Sequence, residues 1–118
     1  MPRYVVMFPA DNEAEWATRT DAERQQTFDT DFEFGQLLEA QGGAVVGGAA
    51  VTHSSEARTL MRGPASEAVV HDGPAIESPG QLSGFFIVRC DDYDALVDAA
   101  KLLTRVHPVV EIRPVKEF

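Results

Sequence analysis

Apolar residues form three strand-like runs in this chain. Residues 4–8 are a continuous apolar run that Pro9 stops, and such a run is typical of a central strand buried on both faces. Residues 84–90 predict a second buried strand. Residues 109–115 predict the last strand, and Pro114 indicates an edge or a strand end.

A fourth apolar segment, residues 44–51, is built from small side chains. Its two central glycines, Gly47 and Gly48, weaken an ordinary strand. They predict either a β-bulge or a close approach by another backbone or a ligand.

Two stretches show helical spacing. Thr20 and Glu23 form a capping box, and the helix that follows runs to about residue 41, before Gly42 and Gly43. Asp91-Asp92 caps a second helix, which ends at His107-Pro108. Apolar residues at spacings of three and four predict the packing faces, Phe28, Phe32, Phe34, Leu37 and Leu38 in the first helix and Tyr93, Leu96, Val97, Ala100 and Leu103 in the second.

Shorter elements complete the order. Residues 11–18 predict a short acidic helix capped by Asp11, with Trp16 folded onto the core. Residues 59–62 and 67–71 flank Gly63-Pro64 and predict a hairpin. A stiff turn, Asp72-Gly73-Pro74, ends its second strand, and residues 76–81 predict one helical turn.

The element order is β-α-β, a hairpin, then β-α-β. Neither half carries the glycine-rich phosphate loop of a dinucleotide-binding fold. The order therefore predicts an α+β, ferredoxin-like split βαβ sheet with both helices on one face. Because residues 5–8 and 85–88 are apolar at consecutive positions, the other face also needs cover. A second copy of the chain would supply it, so we expect a homodimer.

Composition narrows the function classes. The 118 residues fit one domain, with 44% hydrophobic and 25% charged residues. A net charge of −9 argues against nucleic acid and against an anionic membrane surface. One cysteine and three scattered histidines give no zinc-type spacing, and no apolar run reaches the ~20 residues of a membrane span. Without a signal-peptide pattern, we expect a cytoplasmic protein that needs no metal or cofactor.

Several short motifs occur in a fixed order along the chain: Asp72-Gly73-Pro74, then Glu77, then residues 81–86 (Gln-Leu-Ser-Gly-Phe-Phe), together with the opening strand, Trp16, His107-Pro108 and residues 110–115. In these motifs the sequence resembles the YCII-related family in its DGPF-domain branch. The resemblance covers nearly the whole chain and implies a single YCII-related, DGPF-like domain over residues 1–118. The chain departs from the family pattern at Ala75, where Phe is usual, and at Pro79-Gly80, which replace a Lys-Glu pair.

The family resemblance also carries functional expectations. YCII-related proteins form dimeric α+β barrels, and they look like enzymes with an Asp-His pair, one relative being a dehydrochlorinase of chloroaromatic degradation. Domains of this family also occur near or fused to transcription-initiation proteins. The resemblance therefore implies either a small enzyme or an interaction module.

The candidate site residues surround the Asp-Gly-Pro turn and the end of the second helix. Asp72 and His107 are the candidate catalytic pair, because a carboxylate beside an imidazole raises its pKa and gives an acid or base near neutrality. His71, Glu77 and Gln81 are candidate ligand-binding residues. Each also has a structural interpretation: Asp72 is a common turn former, and His107 can cap helix carbonyl groups.

Two functional hypotheses follow. In the first, the chain binds a small organic molecule and catalyses a proton transfer without a cofactor, as a lyase or isomerase performing an elimination, isomerisation or cyclisation. In the second, it is a non-catalytic ligand-binding or protein-interaction module associated with transcription regulation. The distance between Asp72 and His107, and the presence of a pocket around them, distinguish these hypotheses.

Overall fold

A single four-stranded sheet and one layer of helices make up the body of the protein. The structure is a computed structural model that describes residues 1–117. The main strands are β1 (Arg3–Phe8), β3 (Ala44–Ala50), β7 (Gly84–Arg89) and β8 (Glu111–Pro114), in the order β3-β7-β1-β8. All three neighbouring pairs are antiparallel, which confirms the predicted α+β, ferredoxin-like arrangement.

Two short two-stranded sheets lie outside this body. The first joins β2 (Asp11–Asn12) to β6 (Gly80–Gln81), and the second joins β4 (Arg58–Arg62) to β5 (Ala68–Asp72). The predicted hairpin is therefore confirmed. The helical turn predicted for residues 76–81 is wrong, because Gly80 and Gln81 extend to pair with Asn12 and Asp11.

Three α-helices and two 3₁₀ turns connect the strands. They are α1 (Glu13–Thr18), α2 (Asp21–Ala40) and α3 (Tyr93–Ala100), with 3₁₀ turns at Ser54–Glu56 and Lys101–Arg105. The capping box that begins α2 is present, with the Thr20 hydroxyl accepting from the Glu23 amide at 3.2 Å and the Glu23 carboxylate accepting from the Thr20 amide at 3.0 Å. Asn12, not Asp11, caps α1, by accepting from the Glu15 amide at 3.0 Å. This frees Asp11 for a different contact.

The core lies between the helices and one face of the sheet. Side chains alternate along β1, so Tyr4, Val6 and Phe8 are buried while Val5 and Met7 are only half-buried. The buried side joins residues of α2, α3 and the second 3₁₀ turn in one cluster, including Phe34, Leu38, Leu96 and Leu103. The molecule is 18 Å thick in its shortest direction, which fits one sheet and one helical layer.

The packing face of α2 differs from the prediction. Phe34 and Leu38 are buried as expected, but Phe28, Phe32 and Leu37 are exposed. Thr27 and Thr30 are buried in their place. The stripe facing the sheet therefore runs through 27, 30, 34 and 38, a narrower and more polar face than the phenylalanines indicated.

Candidate active site

His107 is the centre of a buried polar cluster. Its side chain is only 4% exposed, and its ring lies flat against Phe8 with the ring centres 3.7 Å apart. Nδ1 lies 2.8 Å from Asp11 Oδ2, and Nε2 lies 2.9 Å from Asp31 Oδ1. Both ring nitrogens therefore face a carboxylate.

Three separate elements bring these side chains together. Asp11 follows the β1 strand, where β2 pairs with β6. Asp31 lies on the sheet-facing side of α2, one residue after buried Thr30. His107 follows the 3₁₀ turn Lys101–Arg105, and its amide donates to the Leu103 carbonyl at 2.9 Å.

The two carboxylates determine the charge of His107. Burial lowers the pKa of His107, but the hydrogen bonds to Asp11 and Asp31 and their negative charges raise it more, to about 9. A carboxylate only accepts hydrogen bonds, so both ring nitrogens carry a proton in this geometry. At neutral pH His107 is an imidazolium, and it has no lone pair with which to act as a base.

Asp11 has a further contact and one unused oxygen. The Ser83 hydroxyl donates to Asp11 Oδ2 at 2.6 Å, which fixes the orientation of the carboxylate. Asp11 Oδ1 is buried, and among residues 1–117 it is the buried side-chain polar atom without a hydrogen-bond partner. Leaving such an acceptor unpaired costs about 1–3 kcal/mol, so native proteins rarely do it without a reason.

The cluster lies in the wall of a large cavity. Its volume is about 1160 Å³, and its lining includes Asp11, Asp31, Ser83 and His107. Aromatic residues from four elements line other parts of it, namely Phe8, Trp16, Phe28 and Phe86. A concave, mostly apolar space with a few converging polar groups is the usual form of a small-molecule site.

The edge strand β3 forms another wall of the cavity with very small residues. Gly47, Gly48, Ala49 and Ala50 all line it. The register shifts between Val45 and Gly47, so the predicted bulge is present. Gly48 has a φ of +140°, which favours glycine. Residues 47–50 therefore bring no large side chain to this wall.

A second histidine-carboxylate pair lies elsewhere in the cavity lining. His53 Nε2 is 2.8 Å from Glu13 Oε2, and Glu13 also accepts from the amide and the hydroxyl of Ser54, each at 2.9 Å. His53 Nδ1 accepts from the Ser55 amide at 3.0 Å. This network joins the start of α1 to the segment that leads into β4.

The residues predicted around the Asp-Gly-Pro turn lie elsewhere. Asp72 is 90% exposed and lies 4.0 Å from Arg58 Nε on the neighbouring strand. His71 Nε2 lies 3.5 Å from Glu77 Oε1, and the Gln81 amide donates to the carbonyl groups of Ile76 and Ser78 at 2.6 and 3.1 Å. Within the described part of the chain, none of the four lines the cavity.

Asp72 and His107 therefore do not form the predicted hydrogen-bonded pair in this structure. His107 has a carboxylate on each nitrogen, but the carboxylates are those of Asp11 and Asp31. The Asp72 turn belongs to the β4–β5 hairpin, which forms its own two-stranded sheet. A carboxylate partner for His107 was predicted, and in this structure the partners are Asp11 and Asp31 instead of Asp72.

A signal for Asp31 was present in the sequence. Its position in α2 follows Thr27 by four residues and precedes Phe34 by three, so it shares their side of the helix. A carboxylate on a buried helical face needs a partner, and a histidine is a suitable one. Asp11 gave no such signal, because an aspartate before a short helix is usually a cap.

Two further kinds of site, a metal centre and a membrane-spanning helix, are absent from the described residues. In the part of the chain that the structure describes, no group of three or more histidine, cysteine, aspartate and glutamate side chains is arranged to hold a metal ion. None of the helices in residues 1–117 combines the length and the apolar character needed to cross a membrane.

Comparison with known proteins identifies similar sequences. The sequence profile of the YCII-related domain family matches residues 3–118. An uncharacterised protein of Rhizobium meliloti (strain 1021) is 36% identical over 61 residues, which are 49% of this chain and 49% of that protein. The alignment thus spans about half the length of this relative.

Proposed function

The chain belongs to the YCII-related domain family, and we propose that it binds a small organic molecule in the cavity and moves a proton on it without a cofactor. The observation that carries this proposal is His107, buried in the cavity wall with a carboxylate on each ring nitrogen. Perturbed titratable groups that converge on a large cavity are typical of sites that perform acid-base chemistry.

The geometry supports Asp11 as the proton acceptor. His107 has no free lone pair, whereas the Asp11 side chain lines the cavity, is 22% exposed and keeps Oδ1 without a hydrogen-bond partner in the described chain. Because Oδ1 itself is buried, the proposal requires the adjoining cavity wall to move when a ligand binds. The other oxygen of Asp11, Oδ2, accepts hydrogen bonds from His107 Nδ1 and the Ser83 hydroxyl, so the carboxylate is held in one orientation. His107 then acts as a fixed positive charge that stabilises anionic character near it, and Asp31 positions His107.

The charges of the lining indicate which ligands fit. Five carboxylates line the cavity, against Arg19, Arg105 and the two histidines, and Arg19 already lies 4.0 Å from Glu15 Oε2. A cavity of this charge disfavours carboxylate ligands and favours neutral or cationic ones. The aromatic walls favour an apolar ring. We infer a small, ring-containing, neutral or amine-bearing ligand.

The test combines binding with proton exchange. Neutral, amine-bearing and carboxylate-bearing aromatic compounds of matched size are screened by thermal shift, and binders are incubated in D₂O and followed by NMR. We expect wild-type protein to introduce deuterium at a carbon of a bound compound. Asp11→Asn and His107→Gln should lose this exchange by at least 100-fold, while the exposed control Asp72→Asn should keep it.

The outcomes separate the two hypotheses. Binding in wild-type protein with no exchange at any compound would favour a non-catalytic ligand-binding module. If no compound binds, and the Asp11 and His107 variants differ from wild type only in stability, the cluster is a structural one. A loss of exchange in Asp72→Asn equal to that in the Asp11 variant would contradict the assignment of the site.

We also propose that the chain is a homodimer formed through the uncovered face of the sheet. Val5, Met7, Phe85 and Ile87 are half-buried there, and they lie next to one another in the β1–β7 register. The 18 Å thickness leaves no room for a second helical layer in the same chain. A sheet with one bare apolar face is commonly covered by a partner.

A further inference from the structure

The β4–β5 hairpin is separate from the core of the protein. Its two strands pair with each other in a sheet of their own. Nine of its ten strand residues are exposed, and Thr59 is the exception. A hairpin that packs on nothing is marginally stable in water, so its own hydrogen bonds do not account for a formed structure.

Both faces of this hairpin are apolar at the centre. Leu60 lies opposite Val70, and Met61 lies opposite Val69. Leu60 is 65% and Val70 is 61% exposed, and Met61 is 60% and Val69 is 47% exposed. Because successive strand residues point to opposite faces, one pair is on each face. Ile76, in the segment that follows, is 73% exposed.

We propose that this hairpin, residues 58–72, is an arm that packs against a second copy of the chain. The proposal rests on the homodimer proposed above and names a second surface that takes part in it. Each arm would lie on the body or the arm of the other copy, in an interface in which both copies use the same surface.

The charges of the arm favour a second copy over a strongly charged partner. Residues 58–72 contain two arginines, Arg58 and Arg62, and two carboxylates, Glu67 and Asp72. Arg58 and Asp72 face each other on adjacent strands, 4.0 Å apart and both largely exposed. Such a pair is its own complement, because Arg58 of each copy can meet Asp72 of the other across a two-fold axis. Polyanions are disfavoured by the net charge of −9.

The size of the interface supports the same conclusion. A stable dimer buries about 800 Å² per partner, contributed by about 20–30 residues. The centre of the bare sheet face offers six positions, Arg3, Val5 and Met7 with Phe85, Ile87 and Arg89. That is far too few. The ten strand residues of the arm, the loop that follows it and the edge strands bring the surface to the required size.

The experiment replaces the apolar pairs without breaking the hairpin. In Leu60→Lys/Val70→Glu the new side chains lie directly opposite each other, and opposite charges in this position support strand pairing. Met61→Lys/Val69→Glu does the same on the other face. The control is Phe32→Lys, at a 69% exposed apolar residue of α2. Sedimentation equilibrium gives the mass of each protein.

We expect wild-type protein and Phe32→Lys to be dimers, and at least one pair variant to dissociate at least tenfold more readily. If wild type is a dimer and neither pair variant weakens it, the arm is not in the interface, and the homodimer stands without it. If wild type is a monomer at all concentrations, both proposals are wrong.

Hydrogen-deuterium exchange on wild-type protein decides the question even if the variants misfold. The amides of β4 and β5 that bond across the hairpin should exchange at least tenfold more slowly above the dimer dissociation constant than below it. Equal rates at both concentrations would overturn the proposal.

Discussion

His107 shows how two contacts change the role of one side chain. Alone, a histidine before a proline at the end of a helix is most simply a cap. Between Asp11 and Asp31 it becomes a buried cation, and two carboxylates against one imidazolium leave the cluster with one net negative charge. Stacking on Phe8 adds a favourable cation–π contact to the assembly. His107 is therefore a proton-bearing part of the structure, and the base has to be a carboxylate.

The raised pKa of His107 predicts a pH dependence of stability. Its pKa is about 9 in the folded protein and about 6.5 in the unfolded chain, so the folded state binds more protons between these values. The contribution is fully present below pH 6.5 and is lost as the pH rises through 9. The difference corresponds to about 3 kcal/mol in the free energy of unfolding.

The measurement is urea unfolding of wild type and His107→Gln between pH 6 and 10. The stability advantage of wild type should be largest at pH 6 and should shrink by about 3 kcal/mol by pH 10. His71→Gln, at a half-exposed histidine of the hairpin, serves as the control and should show no such trend. If the difference in free energy of unfolding between wild type and His107→Gln stayed constant over this pH range, His107 would not be an imidazolium held between two carboxylates.

Cys90 is a residue that the structure places in the core. It follows an apolar strand, and its basic neighbour Arg89 points to the opposite face of that strand. It is 5% exposed within the core cluster, and burial raises the pKa of its thiol. Both features disfavour a nucleophilic thiolate.

The strand β3 illustrates how an element and the site depend on each other. Gly48 pairs with Phe86 just after the register shift, with a φ of +140°. A Cβ on Gly48 would overlap the carbonyl oxygen of Phe85. Gly47 is different, since a Cβ there would lie 3.6 Å from Ile87 Cδ1, an ordinary contact. The backbone therefore requires glycine at position 48 but leaves room for a Cβ at position 47.

This difference gives a matched pair of variants. Gly48→Ala should lower the free energy of unfolding by about 2 kcal/mol or more, because it combines backbone strain with a backbone clash. Gly47→Ala should change it by less than about 1 kcal/mol, since alanine fits and a strand glycine costs conformational entropy. Urea unfolding of both variants is the test. Equal effects would show that the bulge tolerates a side chain at either position.

The helix α2 shows why a count of apolar residues misleads. Its three phenylalanines are spread over positions 28, 32 and 34, but a single helical face cannot bury all of them. Phe34 enters the core, Phe32 is 69% exposed, and Phe28 contacts Trp16 edge-on with ring centres 5.8 Å apart. Phe34 therefore belongs to the core and Phe28 to the cavity wall. The buried positions in the first half of the helix are two threonines, Thr27 and Thr30.

At the scale of the whole molecule, the thin, flat shape is the main feature. The described residues, hairpin included, measure 51 by 44 by 18 Å, and the helices cover one face of the sheet. The opposite face and the hairpin expose apolar residues that a soluble monomer would usually cover. The proposed homodimer and its arm depend on both surfaces.

Assembly through the bare face has its own test. Ile87→Lys places a charge among half-buried apolar residues, on the side of β7 that faces away from the helices. We expect sedimentation to give twice the chain mass for wild type, and a folded monomer for Ile87→Lys, because burying an unpaired charge is costly. Val97→Lys on α3 is the control and should remain dimeric. A dimer of unchanged strength in Ile87→Lys would place the interface elsewhere.

The sequence by itself determined the main elements and their order, but not the β2–β6 pair. Continuous apolar runs, the period-3.6 patterns, the capping box at Thr20 and the glycine pair of β3 are local signals, and local physics suffices to interpret them. The topology followed, because so few arrangements satisfy β-α-β twice with an intervening hairpin. His107 was also a candidate from the sequence, because it lay outside every apolar stripe.

Only the tertiary structure decided which carboxylates meet His107. Asp11 and Asp31 are 96 and 76 residues away from it in sequence, and no local pattern connects residues at such distances. The Asp72 turn has the stronger local signature, but local stiffness does not tell where a turn lies relative to the core. Burial made the difference: the sheet-facing side of α2 and the β2–β6 pairing enclose two carboxylates that then require a cation, and His107 is the cation within reach.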